Sequence, residues 1–324
     1  MKIIERLENF QRKGLHEKAA AIIATLYRPF RPLNLIEQMA KARRRNNQPG
    51  QEPWRRETLD IVRAAGLGDV LMCTPGLREA KRINPSLRIR FYTEFPSLIT
   101  GLPYIDEVHP PLAAPKSAIH LGYEDLIPPS GHLASVIANM IALPVLDVMP
   151  DCIIRHDLVA KYKNLWSGGP NIVVSRHASK WTPNKDWPLE RWDALLHRLS
   201  LQYRVIEIGM TPETQTESSH GRYVDLRGKT DIDTMVAVIA SADAFVGPVS
   251  GPTHIAAAAR IPVVSIVGGY ESEENTRYSV SRSLISTMSC SPCWLRTPCP
   301  YNLACLTTIL VEQVESEIKL ILNK

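Results

Sequence analysis

Aromatic residues make up only 6% of the chain. No basic stripe interleaved with aromatics offers a platform on which bases could stack, which argues against nucleic acid as a partner. Long apolar runs are missing too. The longest, such as AAAIIA and IPVV, fall far short of the about 20 residues a bilayer-spanning helix needs, so a soluble protein is expected. The opening MKIIERLENF carries charge early and has no apolar core for a secretory signal, which points to a cytoplasmic, reducing setting. Cysteine is scarce over most of the chain, with only Cys73 and Cys152 outside one short stretch.

That stretch is CSPCWLRTPCPYNLAC, residues 290–305, which holds four of the six cysteines. Cys290 and Cys293 form a C-x-x-C turn, and Cys299 and Cys305 follow at equal spacing, an arrangement able to close a tetrahedron of thiolates around one soft ion. Pro292, Pro298 and Pro300 break helix and sheet, so a compact knuckle is expected. In a reducing compartment a structural zinc or iron is favoured, with a disulfide-paired knob and plain thiols as the alternatives. Such a metal would be structural and says nothing yet about activity.

At 324 residues and 44% hydrophobic composition, the chain suits two α/β domains plus an appendage. Ile3, Ile4, Leu7 and Phe10 repeat at helical spacing, and further helices are expected near 16–28 and 33–45, so residues 1–56 read as a helical extension and linker. NNQPGQEP (46–53) is the linker signal. Lys41, Arg43, Arg44 and Arg45, with Arg55 and Arg56, make the extension basic within a net charge of +5. The cluster suits phosphates, anionic lipid or nucleic acid, and a solvated helix end accounts for it at least as well. From TLDIVRAAG (58–66) onward strands and helices alternate, which predicts parallel sheets with crossover helices. The expected division is 57–160 and 161–324, with an irregular boundary over 145–170 and VEQVESEIKLIL (311–322) as a closing amphipathic helix.

Three segments carry chemistry. In AGLGDVL, Gly66 and Gly68 turn the chain from strand to helix and leave amides free for an anion, with Asp69 at the helix start. The third glycine of a dinucleotide fingerprint is missing, and a helix cap is the plain alternative for Asp69. In SRHASKWTPNKDWP, Arg176, His177, Lys180 and Lys185 gather cationic groups suited to a pyrophosphate, or to solvent. In VGPVSGPTHIAAAAR, Ser250 and Gly251 precede a helix whose free N–H groups form an anion site, with Thr253 and His254 in its first turn. The DID at 231–233 reads as a helix start, not a metal-binding D-x-D.

GDVLMCTPGLREAKRINP, NKDWPLERW, DLRGKTDIDTMVAVIASADAFVG and SGPTHIAAAARIPVVSIVG together resemble the successive motifs of glycosyltransferase family 9, which includes the heptosyltransferases of the lipopolysaccharide inner core. A cysteine-rich segment in this place also recurs in that family. The resemblance covers about 58–310 and implies a GT-B fold: two Rossmann-like αβα domains facing a cleft, acceptor in the first, nucleotide-sugar in the second, and a final helix packing back across. It implies an inverting transfer from an ADP-sugar, with heptose as the sugar, to a lipopolysaccharide core or protein acceptor at the inner membrane's cytoplasmic face. Asp69 matches the general base. Lys185, Arg176, Ser250, Gly251, Thr253 and His254 match or accompany the donor-binding motifs, and Gly66 and Gly68 supply backbone amides. No metal is required for that transfer. One position departs from the family: the aspartate expected before S-G is Val249. A catalytically silent sugar-nucleotide-binding or scaffolding relative is therefore the rival reading, and oligomerisation is compatible with either.

Overall fold

The computed structural model describes residues 52–64, 66–124, 126–178, 181–210 and 222–323. The helices expected over residues 1–48 lie outside these. The first unit runs β1 (Thr58–Val62), α1 (Leu67–Ile83), β2 (Arg88–Tyr92), β3 (Glu107–His109), β4 (Ile119–His120) and α2 (Leu133–Asn139). A connecting helix, α3 (His156–Leu165), leads to β5 (Asn171–Val174), α4 (Leu189–Ser200), β6 (Arg204–Glu207), β7 (Tyr223–Asp225), α5 (Ile232–Ala240) and β8 (Ala244–Pro248). The chain continues through α6 (Gly251–Ala258), β9 (Val263–Gly268), α7 (Glu273–Thr276), β10 (Ser281–Ile285), α8 (Ala304–Thr307) and α9 (Val311–Leu322).

The strands form two sheets, ordered β3-β2-β1-β4 and β10-β9-β8-β5-β6-β7. Every described pairing is parallel. Composition explains the order. In the second sheet NIVV (β5), AFVGP (β8) and VVSIVG (β9) are buried at every position, as strands covered by helices on both faces must be. The shorter or more polar EVH (β3), YVD (β7) and SRSLI (β10) are only partly buried and sit at edges, where pairing on one side suffices. This is the α/β architecture expected from the alternating pattern, in two Rossmann-like units.

The 145–170 region, expected to be irregular, contains α3. Helix α3 has no fully buried residue and lies on α5; its amphipathic pattern is short and its packing is tertiary. The DID segment starts a helix as expected: the Asp231 carboxylate accepts from the Thr234 N–H at 2.8 Å, capping α5. The closing helix α9 buries Val314 and Ile318 in a cluster with Leu195, Leu196 and Leu199 of α4. Its main contacts are α4 and strands β8, β9 and β10, so it covers the second sheet, whereas the family resemblance implied a helix returning across the cleft.

A single apolar cluster joins the units, running from Ile61, Leu71 and Leu77 to Val238, Phe245 and Ile255. Helix α1 meets both α2 and α6, which sets the N-termini of α1 and α6 against each other.

Candidate active site

In an open parallel sheet, ligands bind beyond the carboxyl ends of the strands, where neighbouring strands lead off in opposite directions. In the first sheet that point lies between β1 and β4. The chain leaving β1 carries Arg63, Gly66 and Asp69; the chain leaving β4 carries Tyr123 and Glu124. The Arg63 guanidinium donates to Asp69 Oδ2 at 2.5 Å, to Glu124 Oε1 at 2.8 Å and to the Leu121 carbonyl at 3.3 Å. The Tyr123 hydroxyl donates to Asp69 Oδ1 at 3.1 Å. Among the described residues the Asp69 oxygens are held by Arg63 and Tyr123, and no bond from them to a backbone N–H of the helix start is seen. Gly66 has φ +85°, and a Cβ there would collide with the Asp69 carboxylate, so the turn requires glycine.

Burial would push the Arg63 guanidinium down, but the charges of Asp69 and Glu124 outweigh it and hold the pKa raised. Glu124 is moved the other way: burial favours its neutral form, yet Arg63 brings it below the usual carboxylate range. The Tyr123 hydroxyl is raised by burial and then by the Asp69 charge, so it stays a donor. The side chains of Asp69 and Glu124 remain 21% and 32% exposed while Arg63 is 4% exposed. Two carboxylates are presented outward from one buried cation.

The corresponding point of the second sheet lies between β5 and β8. The loop after β5 carries Lys185, on a short turn (Pro183–Lys185) opened by Thr182, whose hydroxyl accepts from the Asn184 N–H at 3.1 Å. The loop after β8 is Val249–Ser250, leading into α6. The Lys185 ammonium donates to the Val249 carbonyl at 3.1 Å, pairs with Glu271 at 2.8 Å and sits 5.2 Å from the Tyr270 ring centre. Glu271 is buried, and burial raises its pKa against the opposing pull of Lys185. The Thr253 hydroxyl donates to the Pro248 carbonyl at 2.5 Å, folding the turn back onto β8. The Ser250 hydroxyl is buried with no hydrogen-bond partner among the described residues.

His254 is 4% exposed, and its Nδ1 shares a 2.6 Å hydrogen bond with the Tyr278 hydroxyl. Its pKa is pushed down to about 3, by burial first and then by the charge of Lys185. The imidazole lies on Gly68, where any Cβ would strike it, and Leu67 packs on Gly251. Gly68 is therefore a close-approach residue that lets the two helix N-termini meet. Arg176 is 3% exposed, bonded to Asp193 at 2.6 Å and paired with Glu207 at 2.9 Å; its buried Nη2 has no hydrogen-bond partner among the described residues. His177 is paired with Asp186 at 3.0 Å, and that bond raises its pKa. Lys180 lies outside the described residues.

None of the six cysteines is in a disulfide. The thiols of Cys293 and Cys305 are raised, by burial first and further by the neighbouring thiols, Cys290 and Cys299 among them, so the four share one neighbourhood. Among the described residues no three His, Cys, Asp or Glu side chains stand gathered as a metal site. The knuckle is bonded to the Lys185 loop: Thr182 donates to the Leu295 carbonyl at 2.7 Å, and Asn184 donates to the Leu295 and Thr297 carbonyls at 2.8 and 2.7 Å. The Cys293 N–H donates to the Gly269 carbonyl at 3.1 Å.

Arg63, Tyr123, Glu124, Glu271 and Tyr278 were not singled out from sequence. Arg63 gave a signal, a charge just past the buried strand of IVRAAG. Glu271 gave another, an acid shortly after Gly268, which ends β9.

Several solved structures share the fold. A family 9 glycosyl transferase from Veillonella parvula superposes with TM-score 0.65 at 17% identity, covering 84% of this chain and 98% of that one. E. coli ADP-heptose lipopolysaccharide heptosyltransferase II gives 0.64 at 17% identity, covering 82% and 98%. TibC from enterotoxigenic E. coli, an iron-containing dodecameric glycosyltransferase, gives 0.63 at 18%, covering 83% and 79%. No sequence among the curated proteins compared matches the chain. Residues 133–303, more than half of the 324, match the family described as glycosyltransferase family 9 (heptosyltransferase). With its two facing Rossmann-like units, the chain belongs to that family of glycosyltransferases.

Proposed function

We propose that the protein transfers a heptose-type sugar, with inversion, from an ADP-sugar to a lipopolysaccharide core or a protein side chain. The observation that carries this reading is the seam itself. Leu67 and Gly68 of α1 touch Gly251 and His254 of α6, so carboxylate-bearing and ammonium-bearing strand ends open onto one cleft. Asp69 is the general base: it takes the proton of the acceptor hydroxyl as that oxygen bonds to the anomeric carbon and the bond to the diphosphate breaks. Lys185 and the free N–H groups opening α6, at Ser250 and Gly251, receive the negative charge of the departing nucleoside diphosphate. Arg176, with its buried and unpartnered Nη2, and the amides near Gly66 and Gly68 are further anion contacts, while Thr253 and His254 shape the turn beneath the donor. ADP-heptose as donor is supported by neighbours whose names carry it.

The transfer needs no metal in this scheme. Cys290, Cys293, Cys299 and Cys305 are proposed to hold a structural zinc or iron; their thiolate type suits either ion, and a fold neighbour is described as iron-containing. The dodecameric neighbour favours an oligomer. Among the described residues no helix is long and apolar enough to cross a membrane, and any membrane contact is proposed as peripheral, from the cytoplasmic side. Val249 keeps a silent, nucleotide-sugar-binding relative as the second reading.

Thermal melts against a panel of nucleotide-sugars, followed by turnover of labelled ADP-heptose, test the proposal. A ligand at 100 times its Kd stabilises by about 2.7 kcal/mol. Binding without transfer to any acceptor favours the silent relative, and no binding removes the donor assignment. Protein made in a reducing cytoplasm is expected to carry about one zinc or iron per chain, and Cys→Ser variants to lose metal and stability together. Metal-free protein with four alkylatable thiols would remove the ion.

A further inference from the structure

Glu271 lies three residues beyond the end of β9, with its side chain only 2% exposed. A carboxylate buried this deeply costs stability unless its oxygens are paired. Its Oε1 lies 2.8 Å from the Lys185 ammonium, the one ion pair it makes among the described residues. The same ammonium donates to the Val249 carbonyl, and the next residue, Ser250, buries a hydroxyl that lacks a partner among the described residues. A buried ammonium–carboxylate pair and a hydroxyl without a partner thus lie close to the N-terminus of α6.

Contacts on either side of Glu271 place this pocket beside the seam. Asn275, four residues on, donates to the Gly131 carbonyl of the first unit at 2.9 Å. Lys185, the partner of Glu271, bonds the residue before Ser250, where α6 begins and meets α1 through Gly251 and His254. The ion pair therefore lies next to the contact between the units. A ligand that satisfies all three groups carries an anion for Lys185 and, next to it, hydroxyls for a carboxylate acceptor. A sugar joined to a diphosphate has that composition. Residue 249 touches the same ammonium through its carbonyl, but its side chain is apolar and 5% exposed, so it accepts no hydroxyl.

We propose that Glu271 is the carboxylate that accepts a hydroxyl of the donor's sugar, supplied from the loop after β9 where residue 249 offers none. The inference rests on the donor site proposed above. The ion pair with Lys185 places sugar recognition directly beside phosphate recognition, so the site can tell a nucleotide-sugar from the bare nucleoside diphosphate.

The test measures ADP and ADP-heptose binding to the full-length chain, together with kcat/KM. Glu271→Gln is expected to hold ADP within about threefold of the parent while losing about 10- to 100-fold in ADP-heptose affinity and kcat/KM, the scale of a hydrogen bond to a charged group. Adding Val249→Asp to that variant is expected to restore discrimination, because it returns a carboxylate to the reach of Lys185. Equal losses for ADP and ADP-heptose would make Glu271 only a counter-ion of Lys185 and overturn the inference. Parent protein that binds ADP but gains nothing from the sugar overturns it too, with the nucleotide site intact. Parent protein that binds neither removes the proposed function along with it. Should Glu271→Gln fold poorly, Glu271→Asp carries the test: ADP affinity kept with ADP-heptose affinity lost supports the proposal, and equal losses overturn it.

Discussion

The two strand-end sites are built as charge inversions of each other. In the first unit the buried member is a cation: Arg63, 4% exposed, holds the more exposed Asp69 and Glu124. In the second the buried member is an anion: Glu271, 2% exposed, holds Lys185 at 16%. Each buried charge is tolerable because its partner is within contact distance, and each partner keeps an open side for a ligand. The first site presents negative charge, suited to taking a proton; the second presents positive charge, suited to a leaving diphosphate. Between them the seam is closed by a neutral group, since burial keeps His254 uncharged. Opposite polarity thus arises on matched frameworks, each proposed above to serve one end of a transfer.

The comparison is most sharply tested at Asp69. Asp69→Asn is expected to slow transfer by about 10²- to 10⁴-fold, the range for a lost general base, with donor affinity nearly unchanged. Single-turnover rates with bound ADP-heptose measure this, and an unaltered rate would remove Asp69 from the chemistry. Arg63→Met leaves two carboxylates without their buried cation and is expected to cost about 3–5 kcal/mol of stability. Denaturant titration reads that loss, and a change below 1 kcal/mol would show that the pairing behaves like a surface one. Lys185→Ala is expected to weaken donor binding by about 1.5–3 kcal/mol, the worth of a charge-assisted contact. Calorimetry with ADP checks it; unchanged affinity in a folded variant makes the lysine structural.

The smallest effect concerns the seam. The folded pKa of His254 is lowered from 6.5 to about 3, so below pH 6.5 the unfolded chain binds a proton that the folded chain refuses. Its contribution is fully present above pH 6.5 and is lost as pH falls toward 3, by about 1.4 kcal/mol per unit. His132, lowered to about 4 by burial, adds to the same slope. Thermal melts from pH 7 to 5 should therefore show a loss that His254→Gln reduces; an identical slope in that variant would exclude His254 as its source.

Much of this was legible in the chain alone. Continuous apolar runs such as VVSIVG identify buried parallel strands, because only a strand covered on both faces needs no polar side. The glycines around Leu67 and the serine-glycine pair before α6 mark strand-to-helix turns with free amides, since that property is local to the backbone. The helix α3 escaped local patterning because none of its residues is fully buried and it is held against α5, a contact that only the tertiary structure makes. Tertiary structure alone decided which charges share a contact. Arg63 and Glu124 lie 61 residues apart, and Lys185 and Glu271 come from loops after different strands. Nothing in local periodicity links them, for the pairing follows from strand order: β1 beside β4, and β8 beside both β5 and β9. Residue types and turns were written in the sequence, while the polarity of each site depended on which strand ends the sheets brought together, because Coulomb attraction acts through space and not along the chain.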